Sequence, residues 1–173
     1  MTGIYNEDGL VQSPDYAEVM NGTVLPWLEQ RQNIHTIQGT DHCPLYCVSY
    51  DAEQAIGTVL IVHGFTENAL KYAELIRSLL QCRFSVIAYD QRGHGRSWRA
   101  DGIPHPSVTH VDRFSDYVTD LELVVQSFRE IMPEPFLVFA HSMGGAVTSL
   151  FMERYPDCFS AAVLAAPMIA PNI

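Results

Sequence analysis

A serine in a predicted sharp turn is the residue of this chain best placed to do chemistry. An apolar run, Phe136–Phe139, is rich in strand formers, and small residues open a helical pattern at Met143. The pattern predicts a strand, a turn with Ser142 at its tip, and a helix. A serine hydroxyl held there is exposed, and the N–H groups and positive dipole at the start of the helix would stabilise an oxyanion formed on attack. This is the chemistry of a nucleophile in acyl transfer.

The residues around Ser142 fit the G-x-S-x-G pattern except at its first position, which is Ala140. Alanine is small enough to keep such a turn tight. Gly144 would let the helix approach the strand without a Cβ clash, and His141 is expected to support the turn. The alternative is a structural serine in a glycine-rich loop, so the rest of the chain must supply the context.

A second strand end carries the tripeptide His63-Gly64-Phe65 directly after the continuous apolar run Thr58–Val62. Gly64 permits the backbone to point an N–H into the cleft. The N–H groups of Phe65 and Met143 would then form a two-donor oxyanion hole. For His63 we favour a structural role, with hydrogen bonds to the loop, over that of a base. The Phe65 ring is expected to be a wall of the acyl pocket or a core side chain.

A third strand end leads into the glycine-containing loop Asp90–Ser97. Its Gly93-x-Gly95 spacing resembles a dinucleotide-binding loop, but Trp98 stands where the third glycine should be and no helix begins there. We therefore predict a tight loop at the border of the cleft. His94 and Arg96 would fix the loop or lie on its rim, and Asp90 would tie it.

Strands and helices alternate along most of the chain, which predicts a parallel sheet with right-handed crossovers. We expect a three-layer α/β/α sandwich with a mostly parallel sheet: a helical arm over residues 1–32, then sheet and helices over 33–173. The arm should be interrupted at Asn21-Gly22, and residues 33–37 and 45–50 should form an antiparallel hairpin at the sheet edge. Thr109-x-x-Asp112 approximates a capping box before an amphipathic helix that begins near Phe114.

The composition excludes several classes of protein. A net charge of −10 with a single lysine, Lys71, disfavours nucleic acid and anionic lipid surfaces as electrostatic partners. Residues 1–9 contain no secretory signal, and no apolar run reaches the roughly 18–20 residues that span a bilayer. Cys43-x-x-x-Cys47 beside His42 has poor spacing for zinc in a strand-like run. We therefore expect a cytoplasmic protein with reduced thiols, no metal and no cofactor.

Together these motifs resemble the α/β-hydrolase superfamily. The resemblance covers about residues 45–171 and rests on His63-Gly64-Phe65, on the Asp90–Ser97 loop and on residues 141–145, and the helix start at 111–114 resembles the lysophospholipase and monoacylglycerol lipase branch. It implies that Ser142 is the nucleophile, that the N–H groups of Phe65 and Met143 are oxyanion donors, and that lipid esters are hydrolysed through an acyl-enzyme. A small-molecule esterase or acyltransferase of the same fold, and a non-catalytic binding protein, are the alternatives.

The order of residues departs from this family at one point. Its triad runs serine, acid, histidine, but all seven histidines here precede Ser142. We therefore expect the acid, the base and the cap over the lipid to lie beyond Ile173, so that the fold is truncated after the strand that follows the nucleophile helix. The 173-residue chain alone should be inactive or nearly so. Its partners would be a lipid ester, a complementing C-terminal half and, transiently, a membrane interface.

Overall fold

A computed structural model describes residue 11 and residues 15–103, 105 and 108–170. The arm predicted over residues 1–32 is thus described mainly from Asp15 onward, and its first part lies outside the described residues. Within the described part of the chain, no helix is both long enough and apolar enough to cross a bilayer.

Six strands and five α-helices alternate along most of the described chain. A π-helical turn, Met20–Val24, joins the first two helices, and 3₁₀ turns precede β2 and α3. In chain order the elements are α1 (Tyr16–Val19), α2 (Leu25–Glu29), β1 (Asn33–Gln38), β2 (Pro44–Tyr50), β3 (Thr58–Val62), α3 (Ala73–Gln81), β4 (Ser85–Tyr89), α4 (Phe114–Phe128), β5 (Phe136–His141), α5 (Met143–Arg154) and β6 (Ala161–Ala165).

The strands form one sheet in the order β1-β2-β4-β3-β5-β6. The β1–β2 hairpin at one edge is antiparallel and β2 also pairs antiparallel with β4, whereas β4, β3, β5 and β6 are parallel. The predicted edge hairpin and the mostly parallel sheet are therefore confirmed. Because the central parallel strands share one direction, the loops that follow β3, β4 and β5 meet at the same edge of the sheet.

Helices cover both faces of the sheet, as the three-layer prediction requires. All of β3 is buried, and its side chains alternate between two cores because successive residues of a strand point to opposite faces. Leu60 and Val62 pack with α4 and α5, whereas Val59 and Ile61 pack with α3 and the N-terminal arm. The continuous apolar sequence of this strand follows from burial on both sides.

Two local predictions were wrong. Asn21-Gly22 does not interrupt the arm, because the backbone stays helical through the π turn and continues into α2. The packing of Val19, Val24 and Leu28 against α3 outweighs the low helix propensity of this dipeptide. Thr109-x-x-Asp112 is not a capping box either: α4 begins at Phe114 without a side-chain cap. The Thr109 hydroxyl instead donates to the Gly93 carbonyl at 3.3 Å.

Candidate active site

Ser142 lies at the tip of a strained turn between β5 and α5. Its backbone angles, φ 49° and ψ −117°, are unfavourable for a residue with a side chain. Hydrogen bonds hold the turn on both sides: the Ser142 N–H donates to the Ala165 carbonyl at 3.0 Å, and the Ser142 carbonyl accepts from the N–H groups of Gly145 and Met168, both at 2.9 Å. The strand–turn–helix predicted from the sequence is present, with the serine where β5 gives way to α5.

Two glycines allow the backbone to pass close to this turn. A Cβ at Gly144 would lie 2.3 Å from the Val62 carbonyl oxygen, so the predicted close approach of helix and strand is present. A Cβ at Gly64 would lie 3.1 Å from the Ser142 Cβ and 2.9 Å from His141 Nδ1. Gly64 is therefore required by the proximity of the loop after β3 to the serine turn.

The peptide group between Gly64 and Phe65 is oriented through its carbonyl. The Gly64 oxygen accepts from His63 Nδ1 at 2.7 Å and from the Glu67 N–H at 3.3 Å. This peptide bond is trans, so its N–H and carbonyl point in opposite directions. The Phe65 N–H is therefore directed away from His63 Nδ1 and the Glu67 N–H, which bind the carbonyl. Within the described residues, neither the Phe65 N–H nor the Met143 N–H donates a hydrogen bond.

His63 is fully buried and acts as a connector between two loops. Its Nε2 accepts the Gln91 N–H at 2.9 Å, and the Gln91 side-chain amide donates to the His63 carbonyl at 2.6 Å. Loss of solvation lowers the His63 pKa to about 4, so the ring is neutral at pH 7 and carries its proton on Nδ1, toward Gly64. These contacts join the loops after β3 and β4 and leave neither ring nitrogen free to serve as a base.

Side-chain hydrogen bonds fix the loop after β4. The Asp90 carboxylate accepts the N–H groups of Ala69 at 2.7 Å and Arg96 at 2.8 Å. The His94 ring is buried and packs edge-on against Phe65, with ring centroids 5.7 Å apart. The Arg96 guanidinium lies on the rim, where it donates to the Tyr46 hydroxyl at 2.7 Å.

Sequence reasoning missed a buried carboxylate beside the serine turn, that of Glu67. Its Oε2 accepts the Gly64 N–H at 2.8 Å, the Tyr72 hydroxyl at 2.5 Å and His141 Nδ1 at 3.2 Å, while Oε1 pairs with Lys71. Burial raises the pKa of this carboxyl, but the hydrogen bonds from these four groups outweigh burial and lower the pKa to about 2. The sequence signal that could have identified this carboxylate is the position of Glu67, three residues after Gly64 in the loop that follows β3.

A second buried ionic group was also missed, in the loop after β4. Arg92 makes a bidentate pair with Asp120 of α4, with nitrogen–oxygen distances of 2.6 and 2.8 Å. The Arg92 guanidinium also donates to the Thr40 carbonyl at 3.2 Å, and Asp120 Oδ1 accepts the Thr40 N–H at 2.8 Å. The pair therefore joins three segments that are distant in sequence.

The structure brings Ser142 together with Gly64 and His141, but it brings no base to the serine hydroxyl. Among the described residues, Ser142 Oγ makes no hydrogen bond. Phe65 is 52% exposed, so the alternative of a core side chain is wrong. A cavity of about 620 Å³ lies beneath α2 and beside α3, and its lining includes neither Ser142 nor Phe65.

Comparison with known proteins places this site in a defined context. Residues 53–173 match the family model described as serine aminopeptidase, S33. Lysophospholipase L2 of Escherichia coli is 38% identical over 156 residues, which are 88% of this chain and 44% of that protein. Human monoglyceride lipase is 31% identical over 115 residues, covering 66% of this chain and 36% of the lipase. The chain thus spans less than half the length of these curated relatives.

Solved structures show the same arrangement of strands and helices. An α/β hydrolase from Novosphingobium aromaticivorans superposes with a TM-score of 0.64 at 25% identity, over 78% of this chain and 44% of that one. The monoacylglycerol lipase of Paleococcus ferrophilus superposes with a TM-score of 0.60, also at 25% identity, over 73% of this chain and 44% of the lipase chain. The described sheet therefore corresponds to part of these larger folds.

Proposed function

The chain belongs to the serine aminopeptidase S33 family of α/β-hydrolases, and from this we propose that it carries the nucleophile of a lipid ester hydrolase. Its relatives include a lysophospholipase and monoacylglycerol lipases, so the proposed substrates are lysophospholipids or monoacylglycerols. The observation that carries the proposal is the strained serine turn, because the combination of φ 49° with ψ −117° is unfavourable for a residue with a side chain and is held here by the surrounding hydrogen bonds.

In the proposed reaction, Ser142 Oγ attacks the ester carbonyl while a base removes its proton. The carbonyl oxygen becomes an oxyanion, which the N–H groups of Phe65 and Met143 stabilise. Collapse of this intermediate breaks the ester bond, releases the alcohol with the returned proton, and leaves an acyl group on Ser142. Water then attacks the acyl-enzyme by the same route and releases the fatty acid.

We propose that the base and its orienting acid come from residues outside these 173. All seven histidines precede Ser142 in the sequence. His63 has both ring nitrogens engaged, and Nδ1 of His141 is held by Glu67. Neither of these two histidines, which lie on the loop after β3 and beside the serine, is thus arranged as its base.

The test is fatty-acid release from lysophosphatidylcholine and from monoacylglycerol. It would compare the product of the complete gene with the 173-residue chain, each with and without Ser142→Ala. We expect the complete product to hydrolyse at least one substrate and Ser142→Ala to lower kcat by about 10⁴-fold or more. The 173-residue chain should show little turnover.

The alternatives give different results in the same assay. Preference for short p-nitrophenyl esters would favour a small-molecule esterase, and transfer of the acyl group to an added alcohol would favour an acyltransferase. Activity that survives Ser142→Ala would refute the proposed nucleophile. A complete gene product that binds lipid but hydrolyses none of these esters would favour the non-catalytic protein of this fold.

A further inference from the structure

We infer that Glu67 is a positioning residue that holds the oxyanion loop in register with the serine turn. The inference rests on the proposed function, in which the Phe65 N–H and Ser142 act on the same carbonyl. Glu67 touches neither reacting group. It contacts the residue on the N-terminal side of each of them: Gly64, which precedes Phe65, and His141, which precedes Ser142.

A single carboxylate oxygen joins three segments of the chain. Glu67 Oε2 accepts the Gly64 N–H after β3, the Tyr72 hydroxyl from the 3₁₀ turn before α3, and the His141 ring at the end of β5. The carboxyl side chain is only 7% exposed, so water competes little for these hydrogen bonds. The carboxylate therefore sets the spacing between the oxyanion loop and the serine turn.

The contacts with Gly64 also fix the direction of the oxyanion donor. The Glu67 side chain holds the N–H of Gly64, while the backbone N–H of Glu67 and His63 Nδ1 hold its carbonyl. Glycine has more backbone freedom than any other residue, and these contacts restrain the peptide groups on both of its sides. The Phe65 N–H belongs to the second of these groups, so its direction depends on them.

The charge of Glu67 is needed for this role and is compensated locally. An ionised carboxylate accepts several hydrogen bonds at once, whereas a glutamine presents one acceptor and two donors in the same volume. Lys71, the only lysine of the chain, pairs with the carboxylate on its exposed side. Negative charge beside the oxyanion hole would otherwise disfavour the oxyanion.

The first experiment measures backbone amide exchange by NMR in the 173-residue chain with Glu67→Gln. We expect exchange at Gly64, at position 67 and at Ser142, whose N–H groups donate hydrogen bonds in the loop and in the serine turn, to accelerate by about tenfold or more, with the strand interior at Leu60 within about twofold. Glu74→Gln is the matched control, because the Glu74 carboxylate on α3 also accepts a backbone N–H, from Val11 at 2.5 Å. It should leave exchange near the serine unchanged.

Amide exchange distinguishes a change confined to the loop and the serine turn from a loss of stability of the whole sheet. A uniform acceleration across the sheet would mean that Glu67 serves only the stability of the fold, and the inference would be wrong. Acceleration confined to Gly64, with position 67 and Ser142 unaffected, would also overturn it. This readout does not depend on activity, so the inference is tested even if the proposed hydrolase function fails.

The second experiment measures steady-state kinetics on the form that hydrolyses ester, either the product of the complete gene or the 173-residue chain. Misaligned oxyanion donors act on the transition state, so Glu67→Gln should lower kcat and kcat/KM together by about 10- to 100-fold, with KM within about twofold. Glu67→Asp, which keeps the charge, should recover part of the loss. A rise in KM at constant kcat would instead assign Glu67 to substrate binding and refute the positioning role.

Discussion

Two buried carboxylates, Glu67 and Asp120, each connect segments that are far apart in the sequence, but their partners differ in kind. Asp120 faces a buried guanidinium, that of Arg92, and the two charges satisfy each other. Glu67 faces mainly hydrogen-bond donors from the backbone and from Tyr72 and His141, with its one cation at the exposed side. The first group joins loops and α4, whereas the second lies against the serine turn.

This difference in partners predicts that Asp120 mainly stabilises the fold, whereas Glu67 mainly positions the groups around Ser142. Removing one member of a buried ion pair leaves an uncompensated charge in the protein interior, so the fold depends strongly on Asp120. Removing the charge of Glu67 leaves no buried cation without its partner, because the Lys71 side chain is 62% exposed, so the fold should depend on it less. We therefore expect Asp120 to control unfolding and Glu67 to control the geometry around Ser142.

The largest expected effect is that of Asp120→Asn. It should lower the free energy of unfolding by about 3 kcal/mol, because Arg92 then keeps only one carboxylate partner, Asp116 at 3.7 Å, beside its hydrogen bond to the Thr40 carbonyl. Urea denaturation measures the change, and Asp112→Asn, at a side chain 81% exposed, is the control with little expected loss. A loss below about 1 kcal/mol would remove the contrast between the two carboxylates.

The next effect concerns His63, which links the loop after β3 to the loop after β4. Its pKa falls from an ordinary 6.5 to about 4 in the folded protein, so between these values the unfolded chain binds more protons. The free energy of unfolding should therefore fall by about 3 kcal/mol from this group as the pH drops from 7 to 4. His94, whose pKa burial also lowers, adds to the same trend.

Urea unfolding between pH 7 and pH 4 checks this dependence. His63→Gln should make it shallower, because the variant lacks one titrating ring while the contributions of His94 and Glu67 remain, and Asp112→Asn serves as a surface control. An equally steep dependence in His63→Gln would show that other groups cause it, and His63 would not be the titrating link between the loops.

The smallest effect is that of Lys71→Gln. The lysine side chain is 62% exposed, so water and salt screen its pair with Glu67. We expect the free energy of unfolding to change by less than about 0.5 kcal/mol in urea denaturation. A loss of 2 kcal/mol or more would mean that Glu67, like Asp120, depends on a direct ion pair, and the two regions would not differ as proposed.

Local patterns predicted the fold well wherever neighbouring residues decide the structure. The apolar run of β3 specified a strand buried on both faces, and the residues from Phe136 to Gly145 specified strand, turn and helix. The same reasoning failed at Asn21-Gly22 and at Thr109-x-x-Asp112. There, packing against α3 and a hydrogen bond to the Gly93 carbonyl outweighed local preferences.

The sequence by itself determined that a serine would sit at a tight turn between a strand and a helix. It also determined that glycines would border that turn, because backbone sterics and side-chain periodicity act over a few residues. Only the tertiary structure decided that Glu67 lies against His141, 74 positions away, and that Arg92 of the loop after β4 meets Asp120 of α4. Such contacts form between groups that the packed sheet brings together, and no local pattern of residue types encodes them.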